Sequence, residues 1–429
     1  MSLARPGAQR TSPQDGPRPL GFFDRFFLEA ADPAEHHPEL HIGGLLILGG
    51  PPPETALLQR YLADQIKQIP ALGYRLAARA DRWEPDPAFD PLAHLTERRL
   101  APGDDVIDAG RQEVTRPFDR ERPLWGITCL HGYATDEYAL CYRAHHAFQD
   151  GMAILSVAQS LFRPGSPQRS HETAGTGTAT PRRWPALTDL GVPLTPTSEW
   201  TPNRAPLTGD RALHIARLDR VPLQEIAEAT GTTVNQVALA VLSGAFRAWS
   251  PQDWKAAGGG RAPGRGLHVA VPVDLRPRAG GLEPGNLLGV IRVALPCHQP
   301  SPIERLRQVQ RQTGAERIAR HRAMDRVLLR RLPYRLARAA MLRITAPRFT
   351  ALAVSTLRAT AELDLDGASA RAVYAFPPLL PGHHGMVIIM EGSTEVVFSL
   401  LFDTAAPRAE LLPGLLENAA AELHAAAVP

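Results

Sequence analysis

The stretch "YALCYRAHHAFQDGMAIL", Tyr138 to Leu155, is where the reading of the fold is decided. Its first half alternates apolar residues as a strand does. From Gly151 onward the apolar residues spread over a broad helical face. Between the two halves stand His145 and His146, three intervening residues, then Asp150 and Gly151. Neighbouring side chains on a strand point to opposite faces, so one histidine is expected to face the core and the other a cavity. A neutral imidazole has the basicity to take a proton near neutral pH. Asp150, at the turn into the helix, can hold the loop by pairing with an arginine from another strand. Gly151 lets the backbone approach whatever occupies the cavity. The plainer alternative is a pair of buried, hydrogen-bonded histidines beside an N-capping aspartate.

Other chemistries fit less well. Two histidines on opposite faces of a strand cannot easily share one metal ion, and no other cluster of Cys, His or carboxylate has zinc-like spacing. No metal site is therefore expected. The GxSxG elbow of a serine hydrolase is missing. The glycine-rich "GGGRAPGRG" lacks the Lys-Ser/Thr of a phosphate loop and precedes no helix, so it reads as a flexible connector.

The chain has 429 residues, 44% of them hydrophobic and 21% charged, with a formal net charge of +3. That length exceeds what one core usually serves, so two core units are expected. So small a net charge gives no reason to expect nucleic-acid binding. Cationic charge is carried almost wholly by arginine, since Lys67 and Lys255 are the only lysines. Cys129, Cys141 and Cys297 have no ligand-like spacing and read as reduced core residues of a cytoplasmic protein. Neither a signal peptide nor a membrane-spanning run is evident.

Residues 1–20 are rich in proline and polar groups and are expected to be disordered. A first lobe follows over 21–163, then a linker or crossover over 164–209 dense in Pro, Gly, Ser and Thr, then a second lobe over 210–429. Helices and strands alternate in both lobes, which gives an α/β or α+β protein. From Glu304 to Arg348 arginines crowd amphipathic helices, among them Arg317, Arg320, Arg326, Arg335 and Arg338. Their basic faces are either simply solvated or a docking surface for an anion: a coenzyme A phosphate, an acidic carrier protein or a lipid headgroup. His383 and His384 in "PGHHGM" have no motif around them and read as loop residues.

"HHAFQDG" has the form HHxxxDG, and so resembles the signature of the coenzyme A-dependent acyltransferase superfamily. Its members include chloramphenicol acetyltransferase, the condensation domains of peptide synthetases and bacterial wax ester synthase/diacylglycerol acyltransferases. The surrounding residues are similar to the last branch. They are "DRFFLEAADPAEHHPELHIGGLLI" with His41, "WEPDPAFDPLAHL" from Trp83, "PFDRERPLWGITCLHG" from Pro117, "ATGTTVNQVALAVLSGAFRAW", and "VPVDLRPRAGGLEPGNLLG". The resemblance implies two chloramphenicol-acetyltransferase-like lobes with an active-site tunnel at their interface. It implies His146 as general base, His145 as its buried support and Asp150 in a structural role. Arg276 is the candidate partner of Asp150, and Asn286 would line the tunnel. No bound cofactor is implied; the co-substrate would be acyl-CoA or a phosphopantetheinyl thioester, and the acceptor an alcohol or amine. The chain departs from the family at "VSTLRAT" (Val354–Thr360), where wax ester synthases usually carry Asn-Val-Pro-Gly-Pro.

Three functions stay open on the sequence. One is a lipid-forming acyltransferase using coenzyme A thioesters, with peripheral lipid contact. A second is a stand-alone condensation-like enzyme of specialised metabolism fed by an acyl or peptidyl carrier protein. The third is a catalytically idle scaffold, against which the intact His146 and Asp150 argue.

Overall fold

The computed structural model describes residues 16–30, 40–162, 200–254, 266–276, 283–359, 363–365 and 367–428. Residues 1–15, most of the expected linker (164–199) and nearly all of the glycine-rich connector lie outside the described residues. The first half runs β1 (Arg18–Pro19), α1 (Phe22–Leu28), β2 (His41–Gly49), α2 (Thr55–Ile66), β3 (Tyr74–Leu76), β4 (Arg82–Pro85) and β5 (Leu95–Arg99). It continues with α3 (Val106–Thr115), β6 (Trp125–His131), β7 (Glu137–His145) and α4 (Gly151–Leu161). The second half opens with β8 (Arg211–Asp219), α5 (Arg220–Thr230), α6 (Val234–Trp249), β9 (Leu267–Asp274) and β10 (Leu288–Leu295). Then come α7 (Pro302–Gln312), α8 (Ala315–Arg331), α9 (Tyr334–Thr345) and β11 (Leu352–Arg358). The chain finishes with β12 (Asp364–Leu365), β13 (Ala368–Phe376), β14 (Gly385–Glu391), β15 (Glu395–Asp403) and α10 (Leu412–Ala427).

Two six-stranded sheets dominate, ordered β12-β13-β2-β7-β6-β5 and β10-β9-β11-β14-β15-β8. The first is not built from the first half alone. β13 pairs antiparallel with β2, Phe376 opposite Gly43, so a strand from the second half extends the first sheet. The segment "VSTLRAT" continues β11 as an unbroken strand through Arg358, parallel to β14. Without Pro-Gly-Pro nothing there breaks the ladder.

β7 is central and is covered on both faces, which explains why it reads as a nearly continuous apolar run. Tyr138, Leu140, Tyr142 and Ala144 face a core shared with α2 and α4. Ala139 and Cys141 face α3. α6 is almost wholly buried beneath the second sheet, and its start is a capping box in which Thr233 and Gln236 bond reciprocally. The three cysteines are buried free thiols. No helix among the described residues is long and apolar enough to cross a membrane.

α8 lies on β10 because β10 has a glycine there. A Cβ at Gly289 would sit 2.1 Å from Asp325 Oδ2. The Asp325 carboxylate instead accepts a hydrogen bond from Val290 N at 3.2 Å, and burial pushes its pKa up to about 7. The raised value means the folded protein holds this proton more tightly than the unfolded chain does. That stabilising term is complete below the ordinary value of 3.8 and is lost as pH rises towards about 7. Asp325→Asn should therefore flatten the decline in stability across that window, measured as denaturation midpoints on either side of it. An unchanged pH dependence would show that Asp325 is not the group responsible.

Candidate functional site

The site is built where β7 ends. His145 is the last residue of β7, directly opposite His41 at the first position of β2. His41 Nδ1 donates to Val114 O at 3.1 Å, on the α3 side of the sheet, and its ring centroid lies 5.6 Å from that of His145. His145 is only 1% exposed, and its Nδ1 accepts from Ala147 N at 3.0 Å. A nitrogen that accepts carries no proton, so neutral His145 is the Nε2–H tautomer. The chain then turns, and His146 leaves the sheet.

His146 N donates to Leu40 O at 2.7 Å, and its ring stacks on Phe27 of α1 with centroids 4.0 Å apart and planes inclined by 26°. The residue is half-buried, whereas its Nδ1 is fully covered. Burial lowers the pKa of the ring below its usual value. Its own backbone carbonyl, the Asp150 charge and the Gln149 carbonyl pull the other way without reversing the shift. The two adjacent histidines thus go to opposite sides, one into the α3 layer and one against α1.

Asp150 is the N-cap of α4, its Oδ1 accepting from Ala153 N at 3.0 Å. Its Oδ2 accepts from Leu287 N at 3.2 Å and lies 2.8 Å from Arg276 Nη1. The same Nη1 reaches Asp274 Oδ1 at 3.2 Å, and the raised Arg276 pKa reflects both carboxylates acting against the desolvation of the guanidinium. Asp150 therefore joins the HHxxxDG loop of the first half to the segment between β9 and β10. Gly151 begins α4 without a left-handed φ. A Cβ there would meet Leu357 of β11 at 3.4 Å, so it is Leu357 that the Gly151 backbone approaches.

The residue that sequence reasoning missed is Asp24. It is 3% exposed, and its carboxylate collects four N–H donors. Oδ1 accepts from Asn286 N at 2.7 Å and from Asn286 Nδ2 at 3.0 Å, while Oδ2 accepts from Gly21 N at 2.9 Å and Trp83 Nε1 at 3.0 Å. Burial raises its pKa, and the four donors oppose that shift. Asn286 Nδ2 also reaches the carbonyls of His146 and Ala147 at 2.8 and 2.9 Å. Asn286 is thus a bracket between the Asp24 carboxylate and the backbone of the turn that carries His146. Gly285 serves the same junction. Its φ is +95°, a Cβ would lie 2.5 Å from Asp24 Oδ2, and its N–H donates to Phe148 O at 2.7 Å. The signal for Asp24 lay in its setting, one carboxylate inside the aromatic run "FFDRFF". Such a carboxylate must find partners if the run is buried.

His383 and His384 are loop residues of an unexpected kind. They are 2% and 5% exposed; burial brings the His383 pKa down to about 4, and His384 Nε2 donates to Ala205 O at 2.6 Å. A cavity of about 470 Å³ lies elsewhere, between α6, α7 and α10, lined by Arg247, Trp254, Arg305 and Glu422 among others.

The junction yields two expectations. Asp150→Ala leaves Arg276 buried beside one carboxylate instead of two and removes the helix cap; a loss of roughly 3–5 kcal/mol is expected. Asp24→Asn keeps the shape but aims a donor at N–H groups, which should remove roughly 1–3 kcal/mol for each donor left unmet. Chemical denaturation measures both, and parental stability in either variant would show that the carboxylate does not hold the junction.

The wax ester synthase/diacylglycerol acyltransferase catalytic domain matches residues 20–186, and the C-terminal domain of the same family matches residues 284–424. A probable diacylglycerol O-acyltransferase of Mycobacterium tuberculosis is 24% identical, covering 95% of this chain and 96% of its own. The wax ester synthase/diacylglycerol acyltransferase of Marinobacter aquaeolei superposes with a TM-score of 0.61 at 22% identity, covering 95% of this chain and 99% of that one. The first condensation domain of the calcium-dependent antibiotic synthetase gives a TM-score of 0.63 at 17% identity, covering 96% and 97%. The fold is that of these two-lobed proteins, and the chain belongs to the wax ester synthase/diacylglycerol acyltransferase family.

Proposed function

We propose that this acyltransferase moves an acyl group from a coenzyme A thioester to a hydroxyl acceptor, with His146 as general base. The observation that carries the reading is the state of the His146 ring. It is half-buried, stacked on Phe27 and held neutral by desolvation, with Nδ1 covered. Nε2 is then the nitrogen that meets the acceptor. It takes the hydroxyl proton as the oxygen attacks the thioester carbonyl. The tetrahedral intermediate collapses by breaking the C–S bond, and the imidazolium returns its proton to the departing thiolate, leaving ester and free coenzyme A. The base needs close range and a fixed direction rather than unusual strength, because a thiolate leaves readily.

The neighbouring residues have positioning roles. His145 supports the turn from inside, Asp150 and Arg276 fix the start of α4, and Asn286 fixes the backbone of His146. Gly151 sets how near α4 lies to β11. The lobes, 21–163 and 210–429, would carry donor and acceptor to the imidazole from opposite sides along the tunnel that the family fold implies. A hydroxyl acceptor is favoured by the curated relatives, which are named diacylglycerol O-acyltransferases. A coenzyme A donor is supported by the starter condensation domain of rhizomide synthetase, solved with C8-CoA, which shares the fold.

The test is release of free thiol from acyl-CoA in the presence of a panel of alcohols and amines. His146→Ala should lower transfer by roughly 10²–10⁴-fold while the denaturation midpoint stays near that of the parent. Retention of most activity would remove His146 from the role. Transfer to amines alone, or only from a carrier-bound thioester, would move the reading to a condensation-like enzyme.

A further inference from the structure

α9 has two faces, and both are apolar. Tyr334, Ala337 and Met341 point inward: Ala337 and Met341 are buried, and the Tyr334 ring lies 5.7 Å from Phe22 of α1. The opposite face should be polar on a helix packed against one side of a soluble protein. Instead Leu336 is 61% exposed and Leu342 44%, with exposed Ala339 between them at the same helical spacing and Leu332, 39% exposed, just ahead of the helix. Other exposed large apolar residues, such as Leu57, Leu92 and Val221, belong to separate elements.

The charges around this stripe have one sign. No acidic residue occurs between Asp325 and Glu362, while Arg326, Arg330, Arg331, Arg335, Arg338, Arg343 and Arg348 all fall between them. Arg331 and Arg335 are exposed beside the leucines. Glu29, the residue that caps the C-terminus of α1, is engaged by Arg338 at 3.1 Å, by Tyr334 Oη at 2.7 Å and by Arg25 at 2.9 Å. Arg25 also covers the Tyr334 ring at 4.2 Å and adds its own charge.

We propose that this face of α9 is a docking surface for an anionic lipid membrane, with Leu332, Leu336 and Leu342 entering the acyl boundary and Arg331 and Arg335 meeting headgroup phosphates. The proposal deepens the acyltransferase reading and rests on it for its purpose, though not for its test. Protruding leucines flanked by cations suit a soft, flat, negatively charged surface. The phosphates of one coenzyme A would need arginines converging on a concavity, and exposed leucines would do nothing for them. α9 sits on α1, and α1 presents Phe27 to His146. A membrane held here lies one helix away from the base, which places a lipid acceptor's source beside the site.

The experiment is flotation of the full chain with vesicles of phosphatidylcholine mixed with phosphatidylserine, against phosphatidylcholine alone. The parent should float with the anionic vesicles and much less with neutral ones. Each arginine at the surface should contribute roughly fivefold at low salt. Arg331→Glu with Arg335→Glu, and separately Leu336→Ser with Leu342→Ser, should each weaken binding by roughly tenfold or more. All four side chains are exposed, so folding should be kept. Transfer from acyl-CoA to a water-soluble alcohol should be unchanged in both pairs. Failure of the parent to bind anionic vesicles, or parental binding by the leucine pair, overturns the proposal. So does a raised KM for acyl-CoA in the arginine pair with vesicle binding intact, which would assign the charges to the donor. Loss of transfer in the parent with vesicle binding retained would sink the acyltransferase reading and leave the docking surface standing.

Discussion

The Asp24 carboxylate is the point on which the site depends. It gathers Gly21 N, Trp83 Nε1 and both nitrogens of Asn286 from three separate segments, inside a setting that opposes its charge. A buried carboxylate without partners would be intolerable, so the three segments have no low-energy alternative to meeting there. Because Asn286 simultaneously holds the carbonyls of His146 and Ala147, satisfying Asp24 also fixes the turn that bears His146. Gly285 is the corollary, since any side chain there would occupy the space of the carboxylate.

Asp150 works in parallel a few residues away. It ties the first turn of α4 to Leu287 N and Arg276. The two halves of the chain are thereby joined by two carboxylates, one met mainly by neutral N–H donors and one by a guanidinium. The exchange of β13 into the first sheet adds a third tie. Changing the relative position of the lobes would disturb at least one of these, so the geometry at His146 is a property of the interface rather than of either lobe.

How much of this the sequence showed follows from the range of the forces involved. The end of β7, the turn and the start of α4 were legible because they rest on local rules: alternation, capping and helical spacing. Arg276 beside Asp150 could be named only through the family resemblance, since nothing local links residues so far apart. Asp24 escaped because a single Asp in an aromatic run has no spacing pattern; its meaning is set by Trp83 and Asn286 at long range. The strand exchange escaped too, because β13 alternates like any half-buried strand and its partner is chosen by the fold. The burial of His383 and His384 was equally hidden, their loop being covered by distant chain.

The hydrogen bonds of Asp150 also decide how the His146 ring is held. Its oxygens are occupied by Ala153 N, Leu287 N and Arg276, so its effect on His146 is that of a nearby charge and not of a hydrogen-bonded orienting partner. A serine-protease-type arrangement, in which a carboxylate grips the imidazole and stabilises its cation, is therefore not what the loop provides. Orientation comes from the Phe27 ring and from the backbone bonds on either side of His146. Desolvation dominates the pKa and keeps the ring neutral. An imidazole so held is ready to accept a proton at any pH above its lowered pKa and gives the proton back readily. That suits the transfer proposed above, in which the leaving thiolate must be protonated as soon as it departs.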